Sequence, residues 1–201
     1  MIELLIGTSN PGKVREYAVL LAEVPARLLS LRDVGLESHD IDEPFPTYAE
    51  NAAHKALSYA RASGMMTLAD DSGLEVDALD GRPGIYSARY GGGGDRGRYL
   101  KLLDEMQAVP DEARGAHFQC VVALADPVSG SVELGVGECH GRIAHAPGEG
   151  NNGFGYDAVF IPDGHAVCFS ALSPEAKHAI SHRGSAVRAL IPHLKLLAAG
   201  T

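Results

Sequence analysis

The chain has 201 residues, of which 45% are hydrophobic and 21% charged, and its formal net charge is −9 at pH 7. This composition is typical of a globular protein, and the length suits one domain over residues 1–201. The negative charge disfavours nucleic acid polymers as partners, because their binding depends on clustered lysine and arginine side chains. No apolar run is long enough to span a bilayer and no signal peptide is recognisable, so we expect a cytoplasmic protein without membrane contacts.

Strands and helices alternate in the first part of the chain. Residues 4–6 predict a short buried strand, and the apolar spacing over residues 14–24 predicts an amphipathic helix. Residues 37–46 are polar and predict a loop. Thr47 and Glu50 then form a capping box, which indicates the start of a second helix.

Residues 65–69 predict the next strand, which we expect to end at residues 70–73. Residues 81–94 carry many glycines and predict a loop. The remaining predicted elements are a helix over 99–106, a strand pair over 118–125 and 132–136, a strand over 158–161, a helix that starts near Ser173, and a last helix over 187–197, bent at Pro192. The alternation and the antiparallel pair together predict an α/β fold: a mixed central sheet flanked by helices, in two lobes with an active-site cleft between them.

A polar loop, residues 8–13, follows the first predicted strand and leads into a helix. Hydroxyls, an amide and backbone N–H groups at a helix N-terminus can bind a phosphate, and Lys13 adds a full positive charge. The spacing is not that of a Walker loop. A helix cap beside a surface lysine is therefore the alternative interpretation.

Two adjacent carboxylates, Asp70 and Asp71, follow an apolar strand and are costly to bury unless they bind something. Because neighbouring strand residues point to opposite faces, we expect one to face the cleft and the other to brace a loop. Carboxylate oxygens suit Mg²⁺, which is commonly held by one or two carboxylates plus substrate phosphates. A turn capped by Asx hydrogen bonds is the alternative interpretation of Asp70 and Asp71. Asp42 or Glu43 offers a further metal-binding carboxylate, for which a solvated loop is the alternative.

Two later segments offer surfaces for a base. Residues 153–157 place aromatic rings beside glycines, which allow close approach of a ligand, although core packing is the alternative. Lys177 and residues 181–184 supply two cations and a histidine at a helix junction, which suits phosphate or base contacts as well as an ordinary charged helix start. Phosphate-binding, metal-binding and base-sized groups in one chain together indicate a nucleotide ligand.

Taken together, these segments resemble the inosine triphosphate pyrophosphatase family, whose members are also called dITP/XTP pyrophosphatases. The resemblance runs nearly end to end. The matching segments are residues 8–13, 50–52, 55–56, 69–74, 81–90, 154–157, 172–177 and 180–184.

The resemblance implies an Mg²⁺-dependent homodimer that hydrolyses the noncanonical purine nucleotides ITP, dITP and XTP to the monophosphate and pyrophosphate, which clears them from the nucleotide pool. It implies Asp71 as the proton acceptor and a metal ligand, with Asp42 or Glu43 as the second metal-binding acid. The residues that it implies in substrate binding are Thr8, Ser9, Asn10, Pro11, Gly12, Lys13, Lys55, Ser72, Phe154, Gly155, Tyr156, Asp157, Lys177, His182 and Arg183.

Selectivity for a 6-oxo purine requires hydrogen-bond donors near its oxygen, and the candidate donors are backbone N–H groups, His182 and Arg183. A nucleotide-sensing module without catalysis is one alternative function, but it would not need Asp71. A pyrophosphatase for modified pyrimidines is another, and the matches at residues 154–157 and 181–183 disfavour it. The chain departs from the family pattern at residues 43–45, where many relatives have Glu-Thr-Gly instead of Glu-Pro-Phe.

Overall fold

A computed structural model describes residues 1–200 of the chain. Its strands and longer helices are, in chain order, β1 (Ile2–Ile6), α1 (Pro11–Leu20), β2 (Ala26–Ser30), α2 (Tyr48–Ser63), β3 (Thr67–Val76), α3 (Gly94–Glu105), β4 (Gly115–Ala125), β5 (Val132–Ile143), β6 (Phe160–Pro162), α4 (Pro174–Ile180) and α5 (His182–Ala199). No helix within residues 1–200 is long and apolar enough to cross a membrane.

The six strands form one sheet in the order β2-β1-β3-β4-β5-β6. β1 is parallel to both β2 and β3, whereas β6 is antiparallel to β5. Parallel and antiparallel pairs in one sheet make it mixed, with the parallel strands linked by helical crossovers. The predicted α/β fold with a mixed central sheet is therefore confirmed.

The chain divides into two compact units, each made of separate segments. The first unit consists of Met1–Asp71, Cys120–Gly137 and the chain from Arg183 onward, and the second consists of Ser72–Gln119 and Glu138–His182. Two units agree with the two lobes that we expected. The cleft and the single domain stay predictions.

The first unit buries one face of α1 and α5 against strand residues. Its core contains Leu4, Tyr17, Leu68, Val122 and Leu190. Helix α5 approaches β5 so closely that a Cβ atom at Gly135 would lie 2.2 Å from the carbonyl oxygen of Ala186. Position 135 therefore requires glycine. The core of the second unit is aromatic, and it includes Phe118, Tyr156, Phe160 and Phe169.

Several predicted boundaries were wrong, and one strand was missed. The first helix ends at Leu20 rather than at residue 24, and β6 starts at Phe160 rather than at residue 158. The last helix starts at His182, five residues earlier than expected, and the strand β2 was not predicted at all. The glycine-rich segment 81–94 is not wholly a loop, because Gly84–Arg89 forms a 3₁₀ helix.

The most consequential correction concerns β3. This strand runs through Asp70 and Asp71 to Val76 instead of ending at them. Carboxylates rarely occupy buried strand positions unless they are paired. The reason that the strand continues therefore lies in the partners of these two side chains.

Candidate active site

The loop between β1 and α1 is organised by Asn10, which caps the helix. Its side-chain oxygen accepts hydrogen bonds from the amides of Gly12 at 2.8 Å and Lys13 at 3.3 Å. Pro11 occupies the first turn, where the missing N–H is no loss. Two of the amides that we considered for phosphate binding thus bond within the loop. Phosphate contact by Thr8, Ser9 and the rest of this loop stays a prediction.

Asp70 is completely buried and is the centre of a charged network in the first unit. Its Oδ2 atom lies 2.9 Å from Lys13 Nζ and 3.1 Å from Arg183 Nη2. Arg183 Nη1 in turn donates to Glu16, which α1 carries into the interior. Two cations and two carboxylates therefore balance one another within a buried cluster.

The network explains why Asp70 stays ionised. Burial alone would raise the pKa of its carboxyl, but the positive charges of Lys13, Arg183 and Lys55 outweigh burial and hold the pKa well below its usual range. All of its hydrogen bonds fall on one oxygen. The other, Oδ1, is buried and accepts no hydrogen bond from residues 1–200.

Asp71, the next residue along β3, has a different environment. It is 5% exposed, and its Oδ2 accepts a hydrogen bond from Asn51 Nδ2 at 3.0 Å. The Asn51 side chain also exchanges hydrogen bonds with both backbone groups of Phe45, at 2.9 and 3.1 Å. Asn51 therefore ties the acidic loop before α2 to the Asp71 carboxylate, a role that the sequence analysis did not assign.

Burial, followed by the negative charge of Glu43, raises the pKa of Asp71 to about 6. Glu43 is half-buried and pairs with Lys55. Although burial would lower the pKa of Lys55, the charges of Asp70 and Glu43 raise it, so this lysine stays protonated. Asp42 is exposed, and Glu43 is therefore the acid whose charge acts on Asp71.

The donor set in this region suits a hard divalent cation. Within residues 1–200, no group of three or more His, Cys, Asp or Glu side chains is arranged to hold a metal by itself. Asp71 and Glu43 offer two interacting carboxylates instead, and Mg²⁺ is commonly held by one or two carboxylates together with phosphate oxygens of the substrate. The residues present therefore fit Mg²⁺.

In the second unit, Asp157 organises the turn that carries Phe154. Its Oδ2 accepts hydrogen bonds from the Phe154 amide at 2.7 Å and from Lys177 Nζ at 2.6 Å. Lys177 and Asp157 are both buried, and Lys177 Nζ lies 5.1 Å from the centre of the Phe154 ring. The structure thus brings together three residues that the sequence analysis placed in substrate binding.

Tyr156 and His182 are held by core contacts of the second unit. The Tyr156 hydroxyl donates to the carbonyl of Ser87 at 3.0 Å, and its ring is part of the aromatic core. The His182 ring stacks on Phe118 with 4.6 Å between ring centres. Core packing is thus what the structure shows for Tyr156. Ser72 lies in β3, directly after Asp71, and substrate binding by all three predicted residues stays a prediction.

The chain is similar to known proteins over nearly its whole length. The Ham1 family profile matches residues 4–193. A dITP/XTP pyrophosphatase of Geobacter sulfurreducens is 45% identical over 196 residues, which cover 96% of this chain and 97% of the relative. A dITP/XTP pyrophosphatase of Rhodospirillum centenum is 48% identical over 192 residues, which cover 94% of this chain and 92% of that protein.

A solved structure gives the same result for the fold. A HAM1 protein from Coxiella burnetii is 36% identical, superposes with a TM-score of 0.85, and covers 96% of this chain and 98% of its own. Both the sequence match and the structural match extend over nearly the whole chain, and they confirm the resemblance drawn from the sequence. The chain therefore belongs to the Ham1 family.

Proposed function

We propose that this chain hydrolyses the noncanonical purine nucleoside triphosphates ITP, dITP and XTP to the monophosphate and pyrophosphate. The curated relatives carry the name dITP/XTP pyrophosphatase over matched lengths of more than nine-tenths of this chain. The observation that carries the proposal is the Asp71 carboxyl, whose pKa of about 6 suits a general base near neutral pH. Its neighbours Lys13 and Lys55 supply the positive charge that a triphosphate requires.

In the proposed reaction a water molecule attacks the α-phosphorus. Asp71 accepts a proton from that water as the new phosphorus–oxygen bond forms. The bond from the α-phosphorus to the oxygen that bridges to the β-phosphorus breaks, and pyrophosphate leaves with both electrons of that bond. The ammonium groups of Lys13 and Lys55 stabilise the negative charge that develops on the phosphate oxygens.

Asp71 and Glu43 would hold Mg²⁺, which neutralises phosphate charge and aligns the triphosphate when it is bound. Glu43 is the better choice than Asp42, because its charge acts on Asp71 and it pairs with Lys55. Asn51 fixes the orientation of the Asp71 carboxylate through its hydrogen bond. The Asp71 carboxylate therefore needs little reorientation when it accepts the proton.

Base recognition is assigned to the side chains that the second unit orders, together with Arg183. Phe154 offers a ring face for stacking, and Lys177 and His182 are positioned by Asp157 and Phe118. Directed donors near the purine O6 would favour a 6-oxo purine over adenine, whose amino group would be left without an acceptor.

We also infer a homodimer that acts on free nucleotides in the cytoplasm as one catalytic domain, without a nucleic acid polymer or a membrane as partner. The net charge of −9 supports the part of this inference that concerns nucleic acids.

Product analysis tests the reaction. With Mg²⁺, ITP is expected to give IMP and pyrophosphate, and primary release of IDP and inorganic phosphate would contradict the assignment. The panel should include XTP, dITP, ATP and modified pyrimidine triphosphates, because a preference for the last class would favour a different pyrophosphatase function.

The base is tested by Asp71→Asn, which keeps the size of the side chain and removes its charge. Turnover of ITP should fall by at least ~10²-fold, the usual scale for loss of a general base. Asp104→Asn on the exposed side of α3 is the matched control and should retain activity. Near-normal turnover in Asp71→Asn would place the base elsewhere.

A further inference from the structure

Asp95, in the first turn of α3, makes a long-range hydrogen bond to the turn that carries Phe154. Its Oδ2 accepts from the amide of Gly155 at 2.7 Å, across 60 residues of sequence. Its other oxygen, Oδ1, accepts from Arg98 Nη1 at 2.7 Å. An aspartate in the first turn commonly stabilises its own helix through the helix dipole. Here no side chain caps α3, and the Asp95 carboxylate reaches another segment.

The segment that leads into α3 is rich in glycine. The residue before α3, Gly93, has a φ of 79°, a backbone conformation that side chains disfavour. The loop then folds back onto the helix so tightly that a Cβ atom at Gly97 would lie 1.6 Å from the carbonyl oxygen of Gly92. The loop before α3 is therefore in close contact with the first turn of the helix, where Asp95 lies.

The hydrogen bond matters because of where Gly155 lies relative to Phe154. The peptide plane before Phe154 is fixed by the bond from its own amide to Asp157. The peptide plane after Phe154 contains the Gly155 amide and is fixed by the bond to Asp95. Both backbone torsions of Phe154 are thereby set, and with them the direction in which the ring leaves the backbone.

We propose that Asp95 is a positioning residue for base recognition: it orients Phe154 as the stacking surface for the purine. The proposal rests on the proposed function, since it assigns the ring to the base of the same substrate. Stacking on an aromatic ring contributes strongly to nucleotide binding and depends on ring placement. The loss of Asp95 should therefore weaken substrate binding while the attack on phosphorus proceeds as before.

A purely structural role for Asp95 predicts a different pattern. In that case the carboxylate would stabilise α3 through its interaction with the positive end of the helix dipole and through its ion pair with Arg98, three residues further along the helix. Arg98→Ala removes the ion pair and keeps the acceptor for Gly155. Asp104→Ala removes one negative charge from the exposed side of the same helix.

The experiment compares Asp95→Ala, Asp95→Asn and the two controls by steady-state kinetics with ITP and Mg²⁺. For Asp95→Ala we expect KM to rise about five- to tenfold while kcat changes less than about twofold, a fraction of the stacking contribution of one base. Asp95→Asn keeps an oxygen acceptor and should restore KM to within about twofold. Arg98→Ala and Asp104→Ala should keep the wild-type KM.

Hydrogen exchange measured by mass spectrometry gives a readout that does not depend on activity. Peptides that contain residues 153–157 should exchange faster in Asp95→Ala than in the wild type, and Asp95→Asn should reverse the change. An unchanged KM, or an equal rise of KM in Arg98→Ala, would overturn the proposal. If Asp95→Ala does not fold, Asp95→Glu carries the test, because it keeps the charge and displaces the acceptor; an unchanged KM there overturns the proposal as well.

The failure of this inference and of the proposed function can be told apart. A wild-type protein that releases no pyrophosphate from ITP contradicts the function before any variant is made. A wild-type protein that does so, combined with an unaltered KM in Asp95→Ala, contradicts only the role of Asp95.

Discussion

The two units each contain a buried carboxylate paired with a lysine, but the two pairs do different things. Asp70 in the first unit gathers Lys13 and Arg183 on one oxygen, and Arg183 extends the cluster to Glu16. Asp157 in the second unit shares one oxygen between Lys177 and the amide of Phe154. The first cluster fixes charges, whereas the second fixes the shape of a turn.

The two clusters also differ in how far apart their members lie in the sequence. Arg183 is 113 residues from Asp70 and 167 residues from Glu16, so that cluster exists only when the first unit is folded. The partners of Asp157 lie 3 and 20 residues away. Partners within 20 residues therefore build the Asp157 cluster, whereas only the tertiary structure assembles the Asp70 cluster.

The largest expected effect comes from breaking the first cluster. Arg183→Ala leaves two buried carboxylates without this cation and should lower the free energy of unfolding by about 3–5 kcal/mol. Lys177→Ala should cost less, about 1.5–3 kcal/mol, because Asp157 keeps its bond from the Phe154 amide.

Urea denaturation measures both losses, and Lys195→Ala is the control. Lys195 lies on the same helix as Arg183 and forms an exposed ion pair with Glu23. Such exposed pairs contribute at most about 1 kcal/mol to the free energy of unfolding. If Arg183→Ala cost no more than this control, the proposed contrast between the two clusters would be wrong.

The pH dependence of stability sharpens the comparison within the first unit. The pKa of Asp71 is about 6 in the folded protein, against an ordinary value of 3.8. Between these two pH values Asp71 is protonated in the folded state and ionised in the unfolded state. Its protonation therefore contributes fully to the free energy of unfolding below about pH 4, and this contribution is lost as the pH rises through 6.

The loss amounts to about 3 kcal/mol for one group with this shift. It is measured on protein kept metal-free with a chelator, as the difference between the wild type and Asp71→Asn at each pH. Asp70 contributes little over this window, because above its ordinary pKa of 3.8 this carboxyl is ionised in both the folded and the unfolded state. A wild-type stability that rises from pH 4 to 6 relative to Asp71→Asn would contradict the assignment.

The smallest predicted effect separates base recognition from phosphate recognition. Arg183→Lys keeps the charge near Asp70 but removes the directed donors of the guanidinium. It should narrow the ratio of kcat/KM for ITP over ATP by about tenfold, the effect of one hydrogen bond to a charged group. Lys13→Ala should lower kcat/KM for both nucleotides and leave their ratio within about twofold, because a point charge on the phosphates does not read the base.

An unchanged ratio in Arg183→Lys would make this arginine a partner of Asp70 and Glu16 and nothing more. Specificity would then come from backbone donors near residues 154–157. Circular dichroism of both variants verifies that the comparison is made between folded proteins.

The sequence predicted the features that depend on nearby residues. The loop at residues 8–13 was expected to lead into a helix, with a helix cap as one interpretation, and the structure places a cap at Asn10. Thr47 likewise caps α2, with its side chain accepting from the Glu50 amide. The grouping of Phe154 with Asp157 followed from one short segment, because the hydrogen bond that joins them spans three residues.

Features that depend on distant partners were missed. The continuation of β3 through Asp70 could not be predicted, since two carboxylates in succession are typical of a strand end unless cations lie beside them. Glu16, Asn51 and Asp95 are ordinary polar residues of helices in the sequence. Their partners lie 167, 20 and 60 residues away, and only the folded chain shows them.

The packing of α5 onto β1 has a consequence for how the protein is made. Leu4 and Tyr17 share their core with Leu190, which is synthesised much later than either of them. At the usual rate of about 5–20 residues per second, the early strand and helix wait on the order of ten seconds or more for Leu190. We therefore expect the first unit to complete its folding only after translation of Leu190.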